Sequence, residues 1–214
     1  MCFSATASFT AGIVLTAIGV ATVKRAQRKT EIPFAMIPLL FGLQQIIEGL
    51  LWLSFQFGFH LLNVIMTYAF TLVSHVFWPI FIPLSIGLLE IVLWRRKVID
   101  VFLLTGISLG AFLLYFIIRY PITSEIHSHI VYVFPHFHNP LVLVIYIAAT
   151  CISAFFSSHR VINIFGILAL IFFILSFWFY YVAFFSVWCF SSAILSVIIY
   201  LHFYFRNARV LGWI

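Results

Sequence analysis

The chain has 214 residues, of which 65% are hydrophobic and 7% charged, with a formal net charge of +6. Soluble domains carry about 25% charged residues, so this chain cannot cover a folded surface against water, and lipid is the expected solvent for most of it. The basic excess does not read as a nucleic-acid surface, because Lys and Arg sit in short clusters at the ends of apolar runs, as they do at membrane interfaces.

The first apolar run is Ala5–Val23, followed by Lys24, Arg25, Arg28 and Lys29. A secretory signal would carry its positive charge before the apolar segment, so this run reads as a first crossing with the N-terminus outside. The second run goes from Ile32 to about Phe57, opened by Pro33 and Pro38 and closed by Gly58-Phe59-His60. The third, Leu62 to about Trp94, would reach roughly 50 Å at 1.5 Å per residue, against a hydrocarbon core of about 30 Å. Pro79 and Pro83 are its expected kink points. We expect one kinked helix, ended by Arg95-Arg96-Lys97. The fourth run is about Ile99–Ile118, and a loop follows over Arg119–Pro140. The fifth is Leu141–Phe156, the sixth Val161 to about Tyr181, and the seventh Phe184–Phe205 with Arg206 and Arg209 beyond it.

Seven crossings with the N-terminus outside put ten basic residues on the cytoplasmic side and only Arg119 on the outer side. Splitting the third run would flip every later cluster and destroy that asymmetry. The expected fold is therefore an all-α integral membrane protein: one transmembrane domain spanning residues 1–214, a seven-transmembrane-helix bundle, with a cytoplasmic C-terminus.

The second run carries the strongest anomaly. In LLFGLQQIIEGLLWLSF, Gln44, Glu48 and Trp52 recur every four residues on one helical face, with Gln45 beside them. A centrally placed acid costs about 2.5–3.5 kcal/mol on insertion scales, so this face must turn inward and find partners. The topology brings Glu48, His75 and Cys189 to the outer half of the bundle, with Trp78 and Trp188 as aromatic neighbours. An acid, an imidazole and a thiol at one depth could form a proton relay, a nucleophile–base pair or a metal site.

The outer loop adds two His-x-His pairs, His127/His129 and His136/His138. On extended strands these would face one side and could hold Zn or Cu. Cys2, on the outer side, could serve as a ligand, a lipid attachment point or a disulfide partner for Cys189. Three cysteines are too few for a disulfide framework. No HExxH, CxxC, Walker A or GxGxxG sequence occurs, so ATP coupling and dinucleotide binding are not suggested. The absence of a lysine in the seventh run excludes a Schiff-base retinal protein.

The opening MCFSATASF, with QQIIEGLLW, FWPIFIPLSIGLLE and SVWCFSSA, resembles an uncharacterised family of bacterial multi-pass membrane proteins. The resemblance implies a stand-alone protein of the bacterial inner membrane and brings no activity with it. The seven-helix layout is also similar in topology to ceramidase and adiponectin-receptor hydrolases. Their zinc site needs histidines four apart on the last helix, where this chain has only His202. Three readings follow. The chain binds or transports a small ligand or ion through a polar pocket. Alternatively it is a membrane enzyme, metal-dependent or not, acting on a lipid. The third reading is an accessory subunit whose polar residues lock helices together. The expected partners are the bilayer and a small-molecule or lipid ligand.

Overall fold

The computed structural model describes residues 4–126, 129–133, 139–180 and 183–210. Seven helical stretches traverse it: six are long and apolar enough to cross a membrane, and one is shorter. We label them α1 (Ala5–Val23), α2 (Lys29–Gln56), α3 (His60–Leu89), α4 (Leu93–Arg119), α5 (Pro140–Phe156), α6 (Arg160–Phe179) and α7, in two segments, Phe184–Leu195 and Val197–Val210.

α1 starts where Ser4 caps it, its hydroxyl accepting the Ala7 N–H at 3.2 Å. It lies directly on α2 along a seam of Gly12, Gly19 and Gly42, where the two backbones touch. α2 ends in a Schellman-type turn: Gly58 has φ +70°, and the Phe59 N–H returns to the Ser54 carbonyl at 2.9 Å. His60 then belongs to α3 rather than to the connection.

The third run is one continuous helix, but its irregularity differs from a plain proline kink. Leu72–Phe77 is a π-helical turn directly ahead of Pro79, with the Trp78 N–H bonding the Val73 carbonyl. Pro83 is accommodated inside the following segment. It deprives the Pro79 carbonyl of its usual i+4 donor. Gly106 of α4 packs directly on that oxygen, and a Cβ at 106 would overlap it. This is the close backbone approach that Cα–H···O contacts stabilise between membrane helices.

The end of α3 differs from the sequence expectation. The helix stops at Leu89, and Glu90 and Val92 are extended. Trp94 and Arg95-Arg96-Lys97 therefore open α4, which begins at Leu93 instead of near Ile99. Glu90 causes the break: its carboxylate accepts the Val92 N–H at 3.0 Å and the Ser158 N–H at 2.6 Å, so it caps the turn.

The loop after α4 folds into an antiparallel hairpin, β1 (Thr123–Ile126) with β2 (Ile130–Val133), in the register Thr123↔Val133 and Ile126↔Ile130. Ile130 and Tyr132 face inward, and Tyr132 stacks on Phe70 with ring centres 4.5 Å apart. Thr67 and Ser124 join their hydroxyls at 2.7 Å, fixing the hairpin to α3.

The two ends of the bundle differ sharply. At one end Arg206 of α7 makes a bidentate pair with Glu31, at 2.8 and 3.0 Å. Arg25 lies over the rings of Tyr200 and Tyr204, and Arg95 donates to the carbonyl of Ser157 at 3.0 Å. His202 lies within electrostatic reach of Arg206, Glu31 and His159, tying these groups to a single end. The hairpin and the Gly58 turn mark the other end.

Candidate functional site

The polar face of α2 points into the bundle. Gln44, Gln45 and Glu48 are 1%, 0% and 0% exposed, and Trp52 is half-buried beside them. Gln44 Oε1 accepts the Trp78 indole N–H at 2.6 Å. Trp78 in turn stacks on Phe41 of α2, with ring centres 4.1 Å apart, so α2 and α3 are joined by both a ring stack and a charge-free hydrogen bond.

Glu48 accepts a short hydrogen bond from the Ser186 hydroxyl of α7. Cys189 lies one turn further along the same face, in contact with Gln44 and within electrostatic reach of Glu48. α2, α3 and α7 thus meet around Gln44, Glu48, Trp78, Ser186 and Cys189. Sequence reasoning missed Ser186. Serines in apolar helices usually bond their own backbone, as Ser85, Ser153 and Ser191 do here. Only the neighbouring helix reveals which serine does otherwise.

His75 is 2% exposed and lies in the π-helical turn, one turn before Trp78. Its Nδ1 is 2.6 Å from the Ser74 hydroxyl. The Tyr146 hydroxyl of α5 donates to the Ser74 carbonyl. That carbonyl is available for a physical reason. In the π register its donor would be the residue five positions on, which is Pro79, and proline has no N–H.

Trp188 faces away from the polar cluster. Its indole N–H donates to the Ala169 carbonyl of α6 at 2.9 Å, and its ring packs edge-on to Tyr146 and Phe173. It forms one wall of a small, half-open cavity of about 30 Å³ whose other walls include Trp78, Tyr146, Thr150, Cys151 and Cys189. That volume corresponds to one or two water molecules. Cys189 separates this cavity from the Glu48 cluster.

Among the described residues, both amide atoms of Gln45 and the Trp52 indole N–H find no hydrogen-bond partner, and both groups are buried in the cluster. Buried polar atoms are nearly always paired, so an unpaired amide beside a buried acid marks a place for water, an ion or a ligand. The hairpin closes the cluster from above: Ile130 and Tyr132 pack with Leu51, Phe70 and Cys189 in one apolar patch that also touches Trp52.

Cys189 is a free buried thiol. Cys2, His127, His136 and His138 lie outside the described residues. His129 lies in the hairpin turn rather than on a strand, against Tyr180 at 5.1 Å between ring centres. Among the described residues no three His, Cys, Asp or Glu side chains gather as a metal-binding group.

No curated protein and no solved structure matches the chain. A family model covering residues 1–211 does match, and the chain belongs to that family, described as a family of unknown function (DUF6629).

Proposed function

We propose that the chain is a seven-crossing integral membrane protein of the bacterial inner membrane, N-terminus outside, that binds or passes a proton or small polar species at the Glu48 cluster. The observation that carries this reading is Glu48 itself. It is fully buried in mid-helix, bonded to Ser186 of another helix, and adjacent to the unpaired Gln45 amide. Intramembrane acids are expensive to keep and are functional by default. The π-helical turn that presents His75 supports the reading, since such turns recur at functional sites.

The accessory-subunit reading would have every polar group of the cluster satisfied, and Gln45 and Trp52 weigh against it.

The test is reconstitution in vesicles, with proton and monovalent-cation flux measured for wild type and Glu48→Gln. The side-chain amide of that variant keeps an acceptor oxygen for the Ser186 hydroxyl, so the fold should survive and thermal unfolding should change little. The expected result is flux above that of protein-free vesicles, abolished in the variant. An infrared carboxyl band that titrates in wild type and is absent from the variant would identify the group. Wild-type flux at the protein-free level, together with a carboxyl that never titrates, would overturn the reading.

A further inference from the structure

The outward face of α1 carries an open groove of about 610 Å³, lined by Ile13, Thr16, Ala17, Val20, Lys24 and Arg25, with Ile46 of α2 along its far wall. Its floor is recessed because Ala17 and Ala21 are small beside Ile13, Val20 and Ile46; the glycine seam holds α1 against α2 along it. Ile13, Ala17 and Val20 are exposed along it. The apolar channel ends at two cations, and no acidic residue lines it.

Arg25 is held in place at that end. Its guanidinium lies 5.2 and 5.1 Å from the ring centres of Tyr200 and Tyr204 and donates to the Ala21 carbonyl at 3.3 Å. Lys24 is exposed and makes no ion pair among the described residues. The nearest acid in the sequence, Glu31, is engaged by Arg206. Arg28 and Lys29 follow within the same short connection and add to the positive field.

We propose that this groove is a binding site for one anionic phospholipid. An acyl chain lies along Ile13, Ala17, Val20 and Ile46, and the phosphate sits between Lys24 and Arg25. The volume is that of an ordinary ligand site, and the charge selects a lipid with net negative charge over a zwitterionic one. In the orientation proposed above, the lipid belongs to the cytoplasmic leaflet. The site depends only on the membrane part of that reading and is independent of Glu48.

Native mass spectrometry of the detergent-purified chain tests it, with phosphatidylglycerol and phosphatidylcholine of identical acyl chains as probes. Wild type should retain phosphatidylglycerol preferentially. Lys24→Gln should weaken that retention about fivefold, the effect of one lysine beside an anionic headgroup, and leave phosphatidylcholine unchanged. Ala17→Leu should fill the channel and remove adducts of both lipids. Both residues are exposed, so unfolding temperatures should match wild type. Should Ala17→Leu unfold, Lys24→Gln decides alone. Equal retention of the two lipids by wild type, or an anionic preference untouched by Lys24→Gln, overturns the proposal.

Discussion

The carbonyl of Ser74 shows how one residue's chemistry propagates. The π-helical turn shifts its donor from residue 78 to residue 79, and residue 79 is proline. An orphan carbonyl in an apolar interior costs about 1–3 kcal/mol if left alone. Tyr146 supplies the missing donor, which explains a fully buried phenol among aromatic neighbours. Tyr146→Phe should therefore destabilise the protein by about 1–3 kcal/mol in a reversible denaturation in detergent. Pro79→Ala restores a backbone N–H at the position the carbonyl needs, so the same Tyr146→Phe change should cost much less in that background. A double-mutant cycle measures the difference. Additive losses would show that Tyr146 stabilises the fold in some other way than through Ser74.

At the scale of elements, the break between α3 and α4 is an electrostatic cap. Burial pushes the Glu90 carboxyl up, but the N–H groups of Ser158 and Val92, the Ser158 hydroxyl and nearby His159 outweigh it and hold the group below the usual carboxylate range. A carboxyl lowered in the folded state stabilises above its unfolded pKa of about 4.3, and that stabilisation is lost as pH falls through the folded value. Glu90→Gln should therefore lower the unfolding temperature at neutral pH, and the gap from wild type should close on acidification below about pH 4. A gap that persists unchanged at low pH would mean the loss is steric.

This same break was illegible in the sequence. Glu90 stands inside an apolar run, and the partner that makes it a cap, Ser158, is remote in the chain. The basic triplet Arg95–Lys97 suggested the run's end instead, although it opens the next helix. Glu48 and its face were legible, because a lone acid on a regular period stands out against apolar neighbours. The π register was not, because Pro79 announces an irregularity without saying how the ladder adjusts. The hairpin was hidden too: its inward residues, Ile130 and Tyr132, gain their meaning only from Phe70 and Leu51 of distant helices.

At the scale of the whole molecule, the decisive element is the short α5. Eleven α-helical residues and a 3₁₀ extension give it a length of roughly 27 Å, close to a hydrocarbon core of about 30 Å. Its start lies just beyond the hairpin, while its far end meets Arg95 through the carbonyls of Phe156 and Ser157. It therefore runs from the hairpin end of the bundle to the basic end. Were it to turn back, Arg160 would leave the basic end and α7 could not bring Arg206 to Glu31. The clusters of α1, α4, α6 and α7 thus share one end, and Arg119 stands at the other. The orientation proposed above, which follows the positive-inside rule, puts that end in the cytoplasm. A single-cysteine experiment reads this directly, in a Cys2→Ser background where Cys151 and Cys189 are buried. His60→Cys and Lys97→Cys replace exposed residues at opposite ends. A membrane-impermeant thiol reagent applied to spheroplasts should label the cysteine at 60 and spare the one at 97, and lysis should expose both. The reverse pattern would invert the topology and move Glu48 to the cytoplasmic half. Labelling of both in intact spheroplasts would mean that α3 does not span the membrane.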